Sequence, residues 1–113
     1  MSDLPISYSN QEKYGWHLWQ LRGRLDRTTA EAAWAEGERQ MSACGKMALD
    51  LSELDYLSSA GIRTLLRLAQ EAQQKGVSFV LVSSGGMVRE ILETARLDLF
   101  ITIHSSAEEL EHS

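Results

Sequence analysis

Apolar and polar residues alternate most clearly near the start of the chain. In Trp16-His17-Leu18-Trp19-Gln20-Leu21-Arg22 this pattern, with its aromatic content, predicts a strand. The shorter Ile6-Ser7-Tyr8 alternates too. The polar stretch from Gln11 to Tyr14, closed by Gly15, reads as the turn joining the two into a hairpin, though not as a sharp two-residue turn. Trp19 and Leu21 share one face, the expected core face. Trp16 and Leu18 lie on the other, to be covered by a neighbouring element or presented to a partner.

Beyond Asp26-Arg27 the apolar period lengthens. Ala30, Ala33, Trp34, Gly37, Met41 and Cys44 fall on one helical stripe, with Glu36, Glu38 and Arg39 off it. Thr28 and Glu31 have the spacing of a capping box, and Gly45 is placed to stop the helix. Met47 to Leu51 is too short for a helix and predicts a buried strand. A second helix runs from about Ser59 to Lys75, with Ile62, Leu65, Leu66, Ala69 and Ala72 inward and Gly76 as its stop. Val77 to Val82 is the strongest strand signal.

A third helix starts near Gly86, with Val88, Ile91, Leu92 and Ala95 apolar. Phe100 to Ile103 reads as a last strand, and Ser106 with Glu109 offers a capping box for a short acidic C-terminal helix. The order β-β-α-β-α-β-α-β-α predicts a single α/β domain over residues 1–113. Its sheet is expected to be mixed, mostly parallel, of four to five strands, packed with four helices through right-handed crossovers.

Composition narrows the function classes. A chain of 113 residues, 43% of them apolar, is one domain's worth and can bury a core. Cys44 is alone, which excludes an intramolecular disulfide. No apolar run approaches the ~20 residues of a membrane helix, and Met1 to Pro5 does not begin like a secretory signal. A soluble, cytoplasmic protein is expected. The formal net charge of −5 argues against nucleic acid or an anionic membrane as partner.

Candidate chemistry is sparse. His17, His104 and His112 are far apart, so no metal-like spacing arises. No Gly-x-Ser-x-Gly elbow exists, and a triad of Ser59, Asp50 and His104 has no supporting motif. Neither an enzyme nor a cofactor is expected. Gly85-Gly86 could offer amides to a phosphate but fits no phosphate-loop pattern, and reads as a strand-to-helix turn.

One constellation carries more. Asp50-Leu51-Ser52 closes a strand, Leu54 and Leu57 follow in a tight connection, and Ser58-Ser59-Ala60-Gly61 opens a helix. Ser58 or Ser59 could simply be the N-cap, with small residues letting the helix start close to the sheet. Alternatively, Ser59 stands exposed at the positive end of a helix, where a phosphate is stabilised. Ala60 and Gly61 would then let another protein's active site approach.

Asp50-Leu51-Ser52-x-Leu54-x-Tyr56-Leu57-Ser58-Ser59-Ala60-Gly61-Ile62 resembles the signature of STAS domains, in particular bacterial anti-sigma factor antagonists. Gly23-Arg24-Leu25-Asp26 resembles that family's Gly-Glu-Leu-Asp turn, and Leu97 to Ile101 and Ser106 to Glu109 also fit. The resemblance implies a STAS-like fold and a protein-binding switch. Unphosphorylated antagonist binds a serine-kinase anti-sigma factor of the histidine-kinase-like ATPase fold. That kinase phosphorylates a serine two residues before the motif glycine, here Ser59. A metal-dependent serine phosphatase restores the binding form. Many members carry aspartate before the acceptor where this chain has Ser58, which makes Ser58 a rival acceptor. The implied binding face comprises Asp26, Ser58, Gly61, Ile62 and Arg63, although the spacing of Ile62 also fits the core, which is the favoured reading for it. An accessory role, as a stressosome-like component or a lipid-transporter subunit, is the alternative.

Overall fold

The hairpin sets the first edge of the sheet. In the computed structural model, which describes residues 5–112, β1 (Ile6–Lys13) and β2 (Trp16–Leu25) run antiparallel and pair from Ile6–Gly23 through to Lys13–Trp16. The connection is only Tyr14-Gly15, both at positive φ (55° and 83°), so it is a sharp two-residue turn after all. Its twist matches that of the flanking strands, and glycine accepts positive φ at no steric cost.

Then come α1 (Ala30–Met41), β3 (Lys46–Leu57), α2 (Ser59–Lys75), β4 (Ser78–Val82), α3 (Gly86–Thr94) and β5 (Thr102–His104). Short 3-10 helices cover Leu97–Leu99 and Ala107–His112. The expected mixed, mostly parallel sheet is present with five strands, in the order β1-β2-β3-β4-β5, and every pairing after the hairpin is parallel. The fourth expected helix is the 3-10 helix at Ala107–His112.

Trp19, Leu21, Leu25, Leu49, Leu51, Leu65, Leu68 and Leu81 form the main core between the sheet and the helices. On the other face Trp16 and Leu18 are buried with Ala48, Val80 and Val82 under Leu110 of the C-terminal 3-10 helix. That settles the two alternatives for Trp16 and Leu18: they are covered from within the chain.

Several local expectations change. β3 does not stop at Ser52; it continues to Leu57 beside β2, through two register shifts that give β3 extra residues. The first shift is held by Asp50, whose Oδ1 accepts from Ser52 N at 2.9 Å. The Thr28–Glu31 box does not form. Asp26 caps this turn instead, and α1 ends at Met41, before Gly45. Cys44 therefore lies past the helix, though still against the core. Phe100 is exposed, and the last strand begins at Thr102. Glu109 reaches back to Ser105 N at 3.1 Å, one residue before the expected cap.

Candidate functional site

The parallel pairing of β2 and β3 builds the site. Leu25 and Leu57, the last residues of the two strands, lie opposite each other. Ser58 N donates to Leu25 O at 3.1 Å and carries the ladder one step past the sheet. The two outgoing connections, Asp26–Thr29 and Ser58–Ser59, therefore leave the sheet side by side.

The first connection is rigid for a chain reason. Asp26 Oδ1 accepts from Thr28 N at 2.9 Å and from Thr28 Oγ1 at 2.7 Å, and Oδ2 accepts from Arg24 Nε at 3.3 Å. Thr29 Oγ1 donates to Arg24 O at 2.8 Å and accepts from Asp26 N at 3.0 Å. The Thr28 hydroxyl above all, then its backbone N–H and Arg24, holds the Asp26 carboxyl below the usual carboxylate range. A carboxyl lowered on folding contributes fully above its ordinary value and loses that contribution only as pH falls through the lowered one. The loop therefore keeps this bracing at neutral pH.

The second connection separates the two serines. Ser58 is the N-cap of α2: its backbone is extended and its Oγ accepts from Gly61 N at 3.4 Å. It is half-buried. Ser59, the first helical residue, is exposed, and among the described residues its hydroxyl has no hydrogen-bond partner. The helix start needs Ser58's oxygen where it is, whereas Ser59 Oγ is uncommitted. Replacing Ser58 with alanine is expected to cost about 0.5–1 kcal/mol, read as a lower urea midpoint at unchanged slope.

Gly61 lies buried beneath them. A Cβ there would stand 2.6 Å from Leu25 O and 2.7 Å from Leu57 Cδ1. The helix can begin this close to the β2 terminus only because position 61 has no side chain. Gly61→Ala is expected to destabilise by about 1–3 kcal/mol in urea unfolding, more than Ser58→Ala.

An open depression of about 350 Å³ spreads between the two connections and is edged by Asp26, Ser58, Ser59, Ala60 and Arg63. Four of the expected site residues thus meet on one surface, with Gly61 beneath. Ile62 does not join them: it is half-buried against the core and borders a separate apolar hollow with Met87 and Ile91. Sequence reasoning missed Arg24, stacked 4.5 Å from the Tyr56 ring, and Arg27, both also edging the depression. Only the gathering of cations in an acidic chain could have signalled them. His17 is structural, its Nε2 lying 2.7 Å from Gln40 Oε1 of α1. Among the described residues no group of three or more His, Cys, Asp or Glu side chains could hold a metal ion.

These features define an α/β domain whose candidate site lies on an open surface beside two strand ends. The family model described as the STAS domain matches residues 10–110, and the chain belongs to that family. Osmosensory protein A of Mycobacterium tuberculosis is 34% identical over 63% of this chain and 45% of its own length. BtrV of Bordetella bronchiseptica, whose name assigns it provisionally to the anti-sigma factor antagonists, is 36% identical over 65% of this chain and 64% of its own. The chain therefore matches less than two thirds of the length of either relative.

Two solved structures share the fold. An anti-sigma factor antagonist from Mycobacterium paratuberculosis superposes with a TM-score of 0.79 at 20% identity, covering 93% of this chain and 90% of the other. The Bacillus cell fate determinant SpoIIAA in its phosphorylated form gives 0.67 at 15% identity, covering 94% and 98%.

Proposed function

We propose that this chain is an anti-sigma factor antagonist that works as a phosphorylatable binding switch. The whole chain, residues 1–113, acts as one STAS domain in the cytoplasm, without catalytic groups or a cofactor of its own. Unphosphorylated, it binds a serine-kinase anti-sigma factor through Asp26, Ser58, Arg63 and the surface around Ser59; Gly61 supports that surface from beneath, and Ile62 lies against the core. The kinase transfers the γ-phosphoryl group of ATP to Ser59 Oγ. The O–P bond forms, ADP leaves, and the hydroxyl proton passes to a base of the kinase. A metal-dependent serine phosphatase hydrolyses the ester and restores the binding form.

The observation that carries this reading is the division of labour between the serines: Ser58 Oγ holds the cap while the Ser59 hydroxyl stands exposed and unbonded. That a protein of the same fold, the Bacillus determinant SpoIIAA, has been solved in a phosphorylated form supports it. Phosphate adds about −1.5 to −2 charge and three acceptor oxygens, so one transfer rewrites the electrostatics of a face this small. Incubation with the kinase and ATP, followed by mass-spectrometric mapping, is expected to place a single phosphate on Ser59. Phosphate on Ser58, or elsewhere only, would overturn the assignment.

A further inference from the structure

Arginines on this protein are neutralised almost everywhere. Arg22, Arg24, Arg39, Arg67, Arg89 and Arg96 each sit against a carboxylate. The exceptions, among the described residues, are Arg27 and Arg63, which have no ion pair, side-chain hydrogen bond or aromatic partner. Both are exposed, and both edge the depression that holds Ser59. They also share the adjoining hollow of about 400 Å³ between α1 and α2. In a chain of formal charge −5, two guanidinium groups are thus left without a counter-charge at one place. The carboxylates nearby are already engaged, Asp26 by Thr28 and Arg24, and Glu31 by Arg67.

The geometry gives that pair an occupant. Ser59 and Arg63 stand at i and i+4 on α2, a spacing that brings Cβ atoms to ~5–6 Å on one helix face. Arg27 comes from the other connection, across the depression. A dianion on Ser59 Oγ would have one guanidinium along its own helix and a second facing it. Guanidinium matches phosphate oxygens with a planar fork of donors, which a point charge does not.

We propose that Arg27 and Arg63 are the internal receptor for a phosphate on Ser59, clamping the modified side chain against its own domain. The clamp rests on the reading of Ser59 as the modified residue. In the unmodified protein the two guanidinium groups face outward, free to meet carboxylates of a partner. In the modified protein the phosphate occupies them, so release follows from arginines withdrawn as well as from charge added.

The test needs no kinase. Phosphoserine is placed at position 59 of the full chain during translation, and the phosphate is titrated by phosphorus NMR. Its second pKa is expected to fall below the ordinary ~6 by roughly half a unit or more, the direction given by a nearby opposite charge. Arg27→Gln with Arg63→Gln should remove most of that shift, and each single variant part of it. Arg39→Gln with Arg96→Gln changes net charge equally at remote positions and should leave the shift in place. An unchanged titration in the Arg27/Arg63 double variant would overturn the clamp, as would an equal loss in the remote pair. Because the phosphate is installed during translation, without the kinase, failure of the clamp says nothing against Ser59 as the kinase's target. Failure of kinase mapping likewise leaves this titration standing.

Discussion

Alanine at position 59 is expected to abolish kinase-dependent phosphate incorporation while leaving kinase binding within a few-fold of the unmodified protein. Aspartate there is expected to weaken binding by roughly 100-fold, or ~2.8 kcal/mol at 1.4 kcal/mol per tenfold. The two variants part because Ser59 serves no structural purpose that alanine fails to meet. Its hydroxyl makes no hydrogen bond among the described residues, and the cap belongs to Ser58. Alanine is also a strong helix former at the position that opens α2. Aspartate, by contrast, places a carboxylate on a face where Arg27 and Arg63 are uncompensated. Anions are favoured at a helix start, so Ser59→Asp should fold normally and its loss should appear in the binding constant alone.

Calorimetric titration of each purified variant into the kinase, with thermal unfolding run alongside, checks both halves. Binding of Ser59→Asp equal to that of Ser59→Ala would show that charge at this position does not govern the switch. Phosphate still transferred to Ser59→Ala would move the acceptor elsewhere, with Ser58 the first alternative to examine.

How much of this was legible in the sequence depends on where the chain keeps its period. α2 reads cleanly because its apolar positions follow one 3.6-residue stripe and Gly76, at φ 72°, ends it as expected. β4 reads cleanly because it is a short apolar run flanked by turn formers. The second half of β3 was hidden. Its two register shifts insert extra residues against β2, and a strand that gains a residue loses the strict alternation by which strands are recognised. That hidden half brings Ser58 level with Leu25, so the closeness of Asp26 to the serines came only from a motif resemblance. The cap of α1 was misread because Asp26, Thr28 and Thr29 all compete for the same few donors, and their order is fixed by loop geometry rather than by spacing. The uncompensated arginines were invisible for a further reason: pairing is a three-dimensional property, and position 27 meets position 63 only after both strands are laid in register.

Trp19→Ala is expected to cost about 3–5 kcal/mol, a large part of the 5–15 kcal/mol typical of a small domain. Trp19 has no solvent exposure and sits in the middle of β2, paired with Leu49 on one side and Asn10 on the other. Its ring lies 5.7 Å from that of Tyr8. α1 comes down directly on the indole through Gly37: a Cβ there would meet Trp19 Cζ3 at 2.9 Å and Leu68 Cδ2 at 2.6 Å. Close packing of this kind cannot collapse around an alanine, because the gap is bounded by a helix backbone on one side and the sheet on the other. At roughly 4 °C per kcal/mol, the melting temperature should fall by about 12–20 °C.

Trp19→Phe gives the contrast that identifies the cause. Trp19 Nε1 is buried without a hydrogen-bond partner among the described residues, and such a group costs about 1–3 kcal/mol. Phenylalanine removes that donor while keeping most of the apolar volume, so the two effects partly offset and the net loss should stay under about 2 kcal/mol. Urea unfolding of both variants checks this, and equal losses would mean that neither the retained ring volume nor the removed donor offsets the loss of the indole. The effect should also reach the functional surface. α1 is seated by Trp19 at Gly37 and follows directly on Thr29, whose hydroxyl braces the Asp26 turn. An unseated α1 should therefore raise amide exchange at residues 26–29 before it does so in α2, whose start is pinned separately through Ser58 N and Leu25 O.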